Sequence, residues 1–360
     1  MPPVLHKTLI IRFSSIGDIV LSSLLVRAFR RRYPECQLDF VVKEEFADLV
    51  RYNPHIAHVI TFPRRGSVHD LRQLRARVRE AKYDLIIDIH DSLRSRFLCF
   101  GAKRVVRIDK RKFERFLLVN LKLNWYERFG GAPSVALRYL EPVREFGVAD
   151  DGQGLEFFCT DDVRVRVDQR VRDSGFEAGD QFIAVCPSAK HNTKMWLKER
   201  FAEAASALSK KYGHPVVLFG SGESEVRRCD EIEEAIRALR SASRTSRPEP
   251  RILNLAGKLS LAETAAMMDK CAIVITNDSG LMHLAAARKC NVVAIFGPTV
   301  KELGFFPFGT RSVVVENSAL ACRPCTHIGL PSCPKGHFKC MNDVSVQEVL
   351  DAATQLLRAE

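Results

Sequence analysis

No apolar run among these 360 residues approaches the roughly 18–20 that a membrane-spanning helix needs. The opening MPPVLHKTLIIRF has too short an apolar stretch for a signal peptide and no small-residue cleavage site. A cytoplasmic location is therefore expected. The dinucleotide fingerprint G-x-G-x-x-G is missing from the first strand-to-helix turn, and G-x-x-x-x-G-K-[ST] occurs nowhere. Dehydrogenases and P-loop nucleotidases lose ground accordingly. No recognition helix, aromatic RNP pattern or zinc-finger spacing supports a basic nucleic-acid-binding protein. Hydrophobic residues at 46% and charged residues at 27% exclude a disordered or collagenous chain.

What is present is length for about two domains and an uneven charge. Residues 1–150 hold 28 basic and 17 acidic side chains, a net +11, while residues 151–360 hold 27 and 26. The excess is densest over GAKRVVRIDKRKFERFLL (101–118). A half so charged suits an anionic partner: nucleic acid, a membrane surface or a phosphorylated substrate.

The chain alternates β-favouring runs with helical spacing. Thr8–Phe13, Leu38–Val42, His58–Phe62, Leu85–Ile89 and Val105–Ile108 predict strands, with helices over Ile19–Tyr33 and Glu44–Arg51. After a charged break at 159–181 the pattern restarts. Phe182–Cys186, Pro215–Phe219, Ile252–Leu255, Ala272–Thr276 and Val292–Phe296 predict strands. Helices are expected over Lys198–Tyr212, near 224–239, near 261–269, after Gly280 and over about 345–358. A surface loop is expected over Arg240–Pro250. The reading is α/β: two domains, each a mostly parallel sheet covered on both faces, in tandem about a cleft. Such sheets bind ligands at the carboxyl ends of their strands, so the strand-to-helix loops decide function.

Three loops carry chemistry. In Thr276-Asn277-Asp278-Ser279-Gly280-Leu281-Met282-His283 a strand ends and a helix begins. Unpaired N–H groups and the positive helix end suit a phosphate there, and Gly280 admits close approach. Asn, Asp and Ser are equally the preferred N-caps, so both readings stand. Ser14-Ser15-Ile16-Gly17-Asp18 occupies the equivalent place in the first domain. A carboxylate there suits a general base, or again a cap. In Lys190-His191-Asn192-Thr193-Lys194-Met195-Trp196 a lysine has the reach of a phosphate, and Trp196 suits a wall or an anchor.

Cys36, Cys99, Cys159, Cys186, Cys229, Cys271 and Cys290 are scattered, as buried free thiols are. Cys322-x2-Cys325-x7-Cys333-x6-Cys340, with His327 and His337 nearby, is a cluster that suits structural zinc or iron as well as free thiols.

FSSIGDIVLSSLLVRAFRRRYP, KHNTKMW, FGSGESE, TNDSGLMHLAAA with FGPT, and CRPC…CPKGHFKCM follow in this order across nearly the whole chain. The set resembles the lipopolysaccharide heptosyltransferases, glycosyltransferase family 9. The resemblance implies the GT-B fold: an acceptor domain over 1–165, a nucleotide-sugar domain over 180–344, and a helix over 345–360 returning to the first domain. It implies inverting transfer of heptose from ADP-L-glycero-β-D-manno-heptose to the lipopolysaccharide inner core, without a catalytic metal. Asp18 would be the general base, and Lys194 would contact the diphosphate. Asp278, Ser279, Gly280 and His283 would line the diphosphate and sugar pocket. Glu223 or Glu225 would reach the ribose, and Gly257-Lys258-Leu259 would run beside the adenine. Arg94, Arg96, Lys103, Arg104, Arg107, Lys110, Arg111 and Lys112 become acceptor contacts for a phosphate-bearing substrate at the inner face of the membrane. Trp196-Leu197 departs from the Trp-Pro that the family often shows, which bears on how this loop leads into its helix. The family also includes enzymes with other acceptors, proteins among them, so another nucleotide-sugar donor or a protein acceptor is the alternative.

Overall fold

The computed structural model describes residues 3–129, 131–177, 179–241 and 250–358. The chain divides into two units, one formed by Met1–Lys112 and Pro133–Phe158, the other by Phe113–Ala132 and Cys159–Glu360. Much of the loop expected over Arg240–Pro250 falls outside the described residues.

The first unit holds strands β1 (Lys7–Ile11), β2 (Gln37–Lys43), β3 (His58–Phe62), β4 (Leu85–Asp88) and β5 (Val105–Arg107). They form one parallel sheet in the order β3-β2-β1-β4-β5. A parallel sheet is covered on both faces, so its central strands read as continuous apolar runs. Leu9, Ile10 and Ile11 are fully buried accordingly. The helices are α1 (Ile16–Leu21), α2 (Ser23–Arg32), α3 (Val68–Glu80), α4 (Leu93–Cys99), α5 (Lys112–Phe116) and α6 (Val135–Arg138), α5 running across the boundary into the second unit. The single helix expected over Ile19–Tyr33 is two: Ser22 bonds back to the Ile19 carbonyl at 2.6 Å and separates α1 from α2. Arg27 on α2 is buried against Asp151 and Glu156 at 2.8 and 2.9 Å, which fastens the segment leaving the unit.

The second unit adds α7 (Asp161–Asp173), β6 (Phe182–Cys186), α8 (Lys198–Tyr212), β7 (Val216–Leu218), α9 (Glu223–Ser241) and β8 (Ile252–Asn254). Then follow α10 (Leu261–Met268), β9 (Cys271–Asn277), α11 (Gly280–Ala287), β10 (Val292–Phe296), β11 (Ser312–Glu316), α12 (Lys339–Asn342) and α13 (Val346–Leu357). Its sheet is also parallel, ordered β11-β10-β9-β6-β7-β8. The helix expected to return to the first domain, α13, packs instead on this unit: Val349, Ala352, Ala353 and Leu356 join the core around Trp196 and Phe201. The charged break at 159–181 contains α7, whose Val163, Val167 and Val171 form one buried stripe. Residues 113–132, expected in the first domain, belong with the second unit, where Leu118, Tyr126 and Leu303 share a small core.

Strand order reverses between β1 and β4 in the first sheet, and between β6 and β9 in the second. At such a reversal the neighbouring crossovers go to opposite faces and leave a crevice beyond the carboxyl ends of the strands.

Candidate active site

Asp18 lies beyond β1, at the reversal of the first sheet. Its carboxylate is held from two sides. Oδ2 meets Arg12 Nη2 at 2.7 Å and accepts from the Ser15 hydroxyl at 2.9 Å and the Ser15 N–H at 3.3 Å. Oδ1 accepts from the Tyr139 hydroxyl at 3.1 Å. The cap reading of this loop is thus present in the geometry, as the bond to Ser15 N–H, alongside an ion pair that a cap does not need. Burial pushes the carboxyl up, but the Arg12 charge and the Ser15 hydrogen bonds outweigh it, and the group sits below its ordinary range.

Arg12 is itself fixed, donating Nε to the Ser14 carbonyl and Nη1 to the Ile89 carbonyl, both at 2.7 Å. The second loop of this crevice follows β4. Buried Asp88 accepts from the N–H groups of His90 and Asp91 at 3.1 and 2.8 Å. His90 packs edge-on against Phe13 at 5.2 Å. Burial, with the charges of Arg12 and Lys110, pushes its imidazole down to about 3, so it is neutral at physiological pH.

The basic residues expected to bind acceptor divide. Lys110 donates to the Asp91 carbonyl at 2.9 Å, and burial and the Arg12 charge push its ammonium down. Arg96 pairs with Asp91 at 2.8 Å and Arg107 with Asp88 at 3.5 Å, so these three gather on the β4 loop. Arg111 is engaged with Glu141 at 2.7 Å, and Arg104 lies over the Phe146 ring. Arg94, Lys103 and Lys112 are exposed.

In the second unit the loops after β6 and β9 meet. Lys194 Nζ and Asp278 Oδ2 form an ion pair at 2.6 Å, with side chains 13% and 6% exposed. Thr299 adds its hydroxyl to the same oxygen at 2.7 Å. Asn277 joins the two loops, accepting from Trp196 N–H at 3.0 Å and donating to the Pro187 carbonyl at 2.7 Å. Trp196 is an anchor, fully buried, with its indole N–H on the Val344 carbonyl at 3.0 Å. Leu197, where the family often has proline, takes φ −65°, the angle a proline ring imposes, so the lead into α8 is kept.

Ser279 is the extended residue before α11, Gly280 opens the helix, and no side chain caps its first turn. His283 is buried one turn on, its ring meeting Phe305 at 6.3 Å. The hydroxyl of Ser188, just beyond β6, is buried with no protein partner among the described residues. Glu225 accepts from Ser221 N–H at 2.7 Å and closes its own loop, whereas Glu223 is exposed at the start of α9. Gly257 donates to the Gly220 carbonyl at 2.9 Å, so the loops after β7 and β8 touch. Its φ of +72° and the nearby Val226 methyl, 2.9 Å from where a Cβ would sit, require glycine.

Four thiols suit zinc or iron as a donor set, yet among the described residues no group of three His, Cys, Asp or Glu converges to hold a metal ion. Cys322 Sγ lies 3.9 Å from His337 Nε2, and burial beside the other three thiols pushes Cys340 up to about 11.

Arg12, His90, Tyr139 and Ser188 are candidate-site residues that the sequence motifs did not single out, and Thr299, the last residue of FGPT, was given no role there. A charge at the end of the apolar run Thr8–Phe13 was the available signal for Arg12. Tyr139 reaches Asp18 across 121 residues and left none.

Residues 71–333 match the family described as glycosyltransferase family 9 (heptosyltransferase). Lipooligosaccharide heptosyltransferase 2 of Haemophilus influenzae is 31% identical over 305 residues, covering 81% of this chain and 83% of that one. Lipopolysaccharide heptosyltransferase 2 of Escherichia coli is 26% identical over 366 residues, covering 98% and 99%. Among solved structures, that of E. coli ADP-heptose LPS heptosyltransferase II superposes with a TM-score of 0.73 at 22% identity, covering 98% of this chain and 99% of that chain.

Proposed function

Because the chain belongs to glycosyltransferase family 9, the heptosyltransferases, we propose that it moves heptose from ADP-L-glycero-β-D-manno-heptose to the lipopolysaccharide inner core with inversion. The fold is GT-B, with two Rossmann-like domains. The observation that carries the mechanism is the Asp18 carboxylate, ionised at the reversal of its sheet. Oδ2 is occupied by Arg12 and Ser15, while Oδ1 accepts from Tyr139 alone among the described donors. The second lone pair of Oδ1 is the acceptor's place.

A carboxylate of depressed basicity takes no proton from a resting hydroxyl. It takes one as the hydroxyl oxygen bonds to the anomeric carbon and becomes acidic, so proton transfer accompanies displacement. Negative charge meanwhile grows on the departing ADP. The N–H groups that open α11, the Lys194 ammonium and the Ser188 hydroxyl meet that charge without reorganising. Asp278 and Thr299 hold Lys194 in place. A base on one face of the sugar and a leaving group on the other give single displacement with inversion. Lys110, Arg96 and Arg107 supply positive charge for a phosphorylated acceptor. The work is done at the cytoplasmic face of the inner membrane, where such an acceptor is anchored.

Calorimetric titration with ADP, using UDP and GDP as controls, tests the donor, and mass spectrometry of the product tests the acceptor. Selective ADP binding is expected. Preference for UDP or GDP would overturn the donor, and a glycosylated protein product would overturn the acceptor.

A further inference from the structure

Between residues 112 and 128 the chain carries apolar side chains where a solvated helix carries polar ones. α5 continues into a wider π-type turn over Leu117–Leu121. Leu117 and Leu118 are buried, Leu118 in the core it shares with Tyr126 and Leu303. Outward, Phe113 is 63% exposed, Phe116 54%, Leu121 55% and Leu123 53%. Phe113 and Phe116 are three residues apart and share a helix face, and the i to i+5 step of the π turn brings Leu121 round to it.

The stretch is held firmly. Asn120 donates to the Phe116 carbonyl at 3.1 Å, Leu123 N–H to the Leu117 carbonyl at 3.2 Å, and Lys122 to the Val119 and Pro324 carbonyls at 2.8 and 2.5 Å. These four apolar side chains are therefore displayed rather than frayed. Around them the charge is of one sign: residues 110–128 contain six basic and two acidic side chains. Arg128 stacks over the Trp125 ring at 4.2 Å, an aromatic–cation pair suited to the headgroup layer. Among the described residues no helix is long and apolar enough to cross a membrane.

We propose that residues 112–128 dock the protein on an anionic bilayer. Phe113, Phe116, Leu121 and Leu123 enter the boundary between headgroups and acyl chains, and Lys112, Arg115 and Arg128 lie at the level of the lipid phosphates. Charge complementarity chooses the occupant: a basic rim about exposed phenylalanine and leucine matches an anionic leaflet. The proposal rests on the lipid-borne acceptor only for why a bilayer is at hand.

The test is sedimentation of the full-length protein with phosphatidylethanolamine vesicles containing phosphatidylglycerol, against vesicles of phosphatidylcholine alone. Wild type is expected to bind the anionic vesicles, to dissociate as salt is raised, and to shift Trp125 emission to the blue on binding. The combined Phe113→Ser, Phe116→Ser, Leu121→Ser and Leu123→Ser variant is expected to lose at least about tenfold in partitioning. Its melting temperature and ADP binding should stay at the wild-type values. Arg115→Glu with Arg128→Glu, which leaves the apolar face intact, should lose the preference for anionic lipid. Wild type that ignores vesicles, or serine variants that bind like wild type, would overturn the proposal. So would an oligomer that the serine variants convert to monomer, since the face would then belong to a second copy. Vesicle binding without ADP binding would leave this surface standing and overturn the donor assignment instead.

Discussion

At Asp18 two opposed forces act on one proton. Burial favours the neutral carboxyl, while Arg12 and Ser15 favour the carboxylate and win. Asp18→Asn keeps the shape and removes the proposed base, so turnover should fall by about 10²–10⁴-fold, with ADP affinity unchanged by calorimetry. An Asp18→Asn enzyme with near wild-type turnover would leave the carboxylate only its capping bond to Ser15. Because the folded-state pKa is lowered, the stability Asp18 contributes is fully present above its unfolded value. It is lost as pH falls through the folded one. The acid limb of kcat should accordingly lie below the usual carboxylate range. Arg12→Met removes the charge and leaves the burial, so the same limb should move to higher pH. His90, neutral above about 3, contributes no limb near neutrality. The acid was legible in the sequence as a polar residue at a loop tip. Its partner Tyr139 was not, because nothing local in Ala136-Leu137-Arg138-Tyr139 records a contact 121 residues away.

Among the elements, the cysteine-rich stretch between β11 and α13 braces the loops that follow β6 and β10. Arg323 is almost wholly buried and donates to the carbonyls of Gly297 at 2.5 Å and Thr299 at 2.7 Å, the residue whose hydroxyl holds Asp278. From the other side Leu330 exchanges hydrogen bonds with Thr193, next to Lys194. Gly297 fits between them, since a Cβ there would sit 2.6 Å from Met341 and 3.0 Å from the Thr193 carbonyl. Thr299→Val keeps the volume and deletes the hydroxyl. It should raise the dissociation constant for ADP by roughly 10–100-fold, the scale of one hydrogen bond to a charged group. A second consequence concerns α8. Leu197 already holds a proline-like φ, so Leu197→Pro should be neutral or stabilise by about 0.4–1 kcal/mol, read as a rise in the denaturation midpoint. The sequence pattern placed nearly every strand to within a residue or two, because runs such as Phe182–Cys186 are buried on both faces. It missed β11, an edge strand with a half-buried pattern, and α7, whose narrow valine stripe is diluted by Asp and Arg.

In the whole molecule, one construction is repeated. Each sheet reverses its strand order once, and Asp18 and the Lys194–Asp278 pair lie beyond the strands at those two reversals. Alternation of strands and helices foretold two α/β domains. Strand order, which depends on contacts far apart in the chain, carried no local mark, and neither did the transfer of residues 113–132 to the second unit. That transfer makes the units discontinuous: the chain changes unit after Lys112, after Ala132 and again after Phe158. A hybrid of two relatives joined once, at Phe158, would set a foreign Leu118 and Tyr126 beside a native Leu303. It should melt below both parents, whereas a hybrid that carries residues 113–132 with its own carboxyl-terminal part should not. Single crossovers between genes for such chains therefore exchange mismatched surfaces at that small core, and one unit passes intact from one chain to another only when all three joints move together.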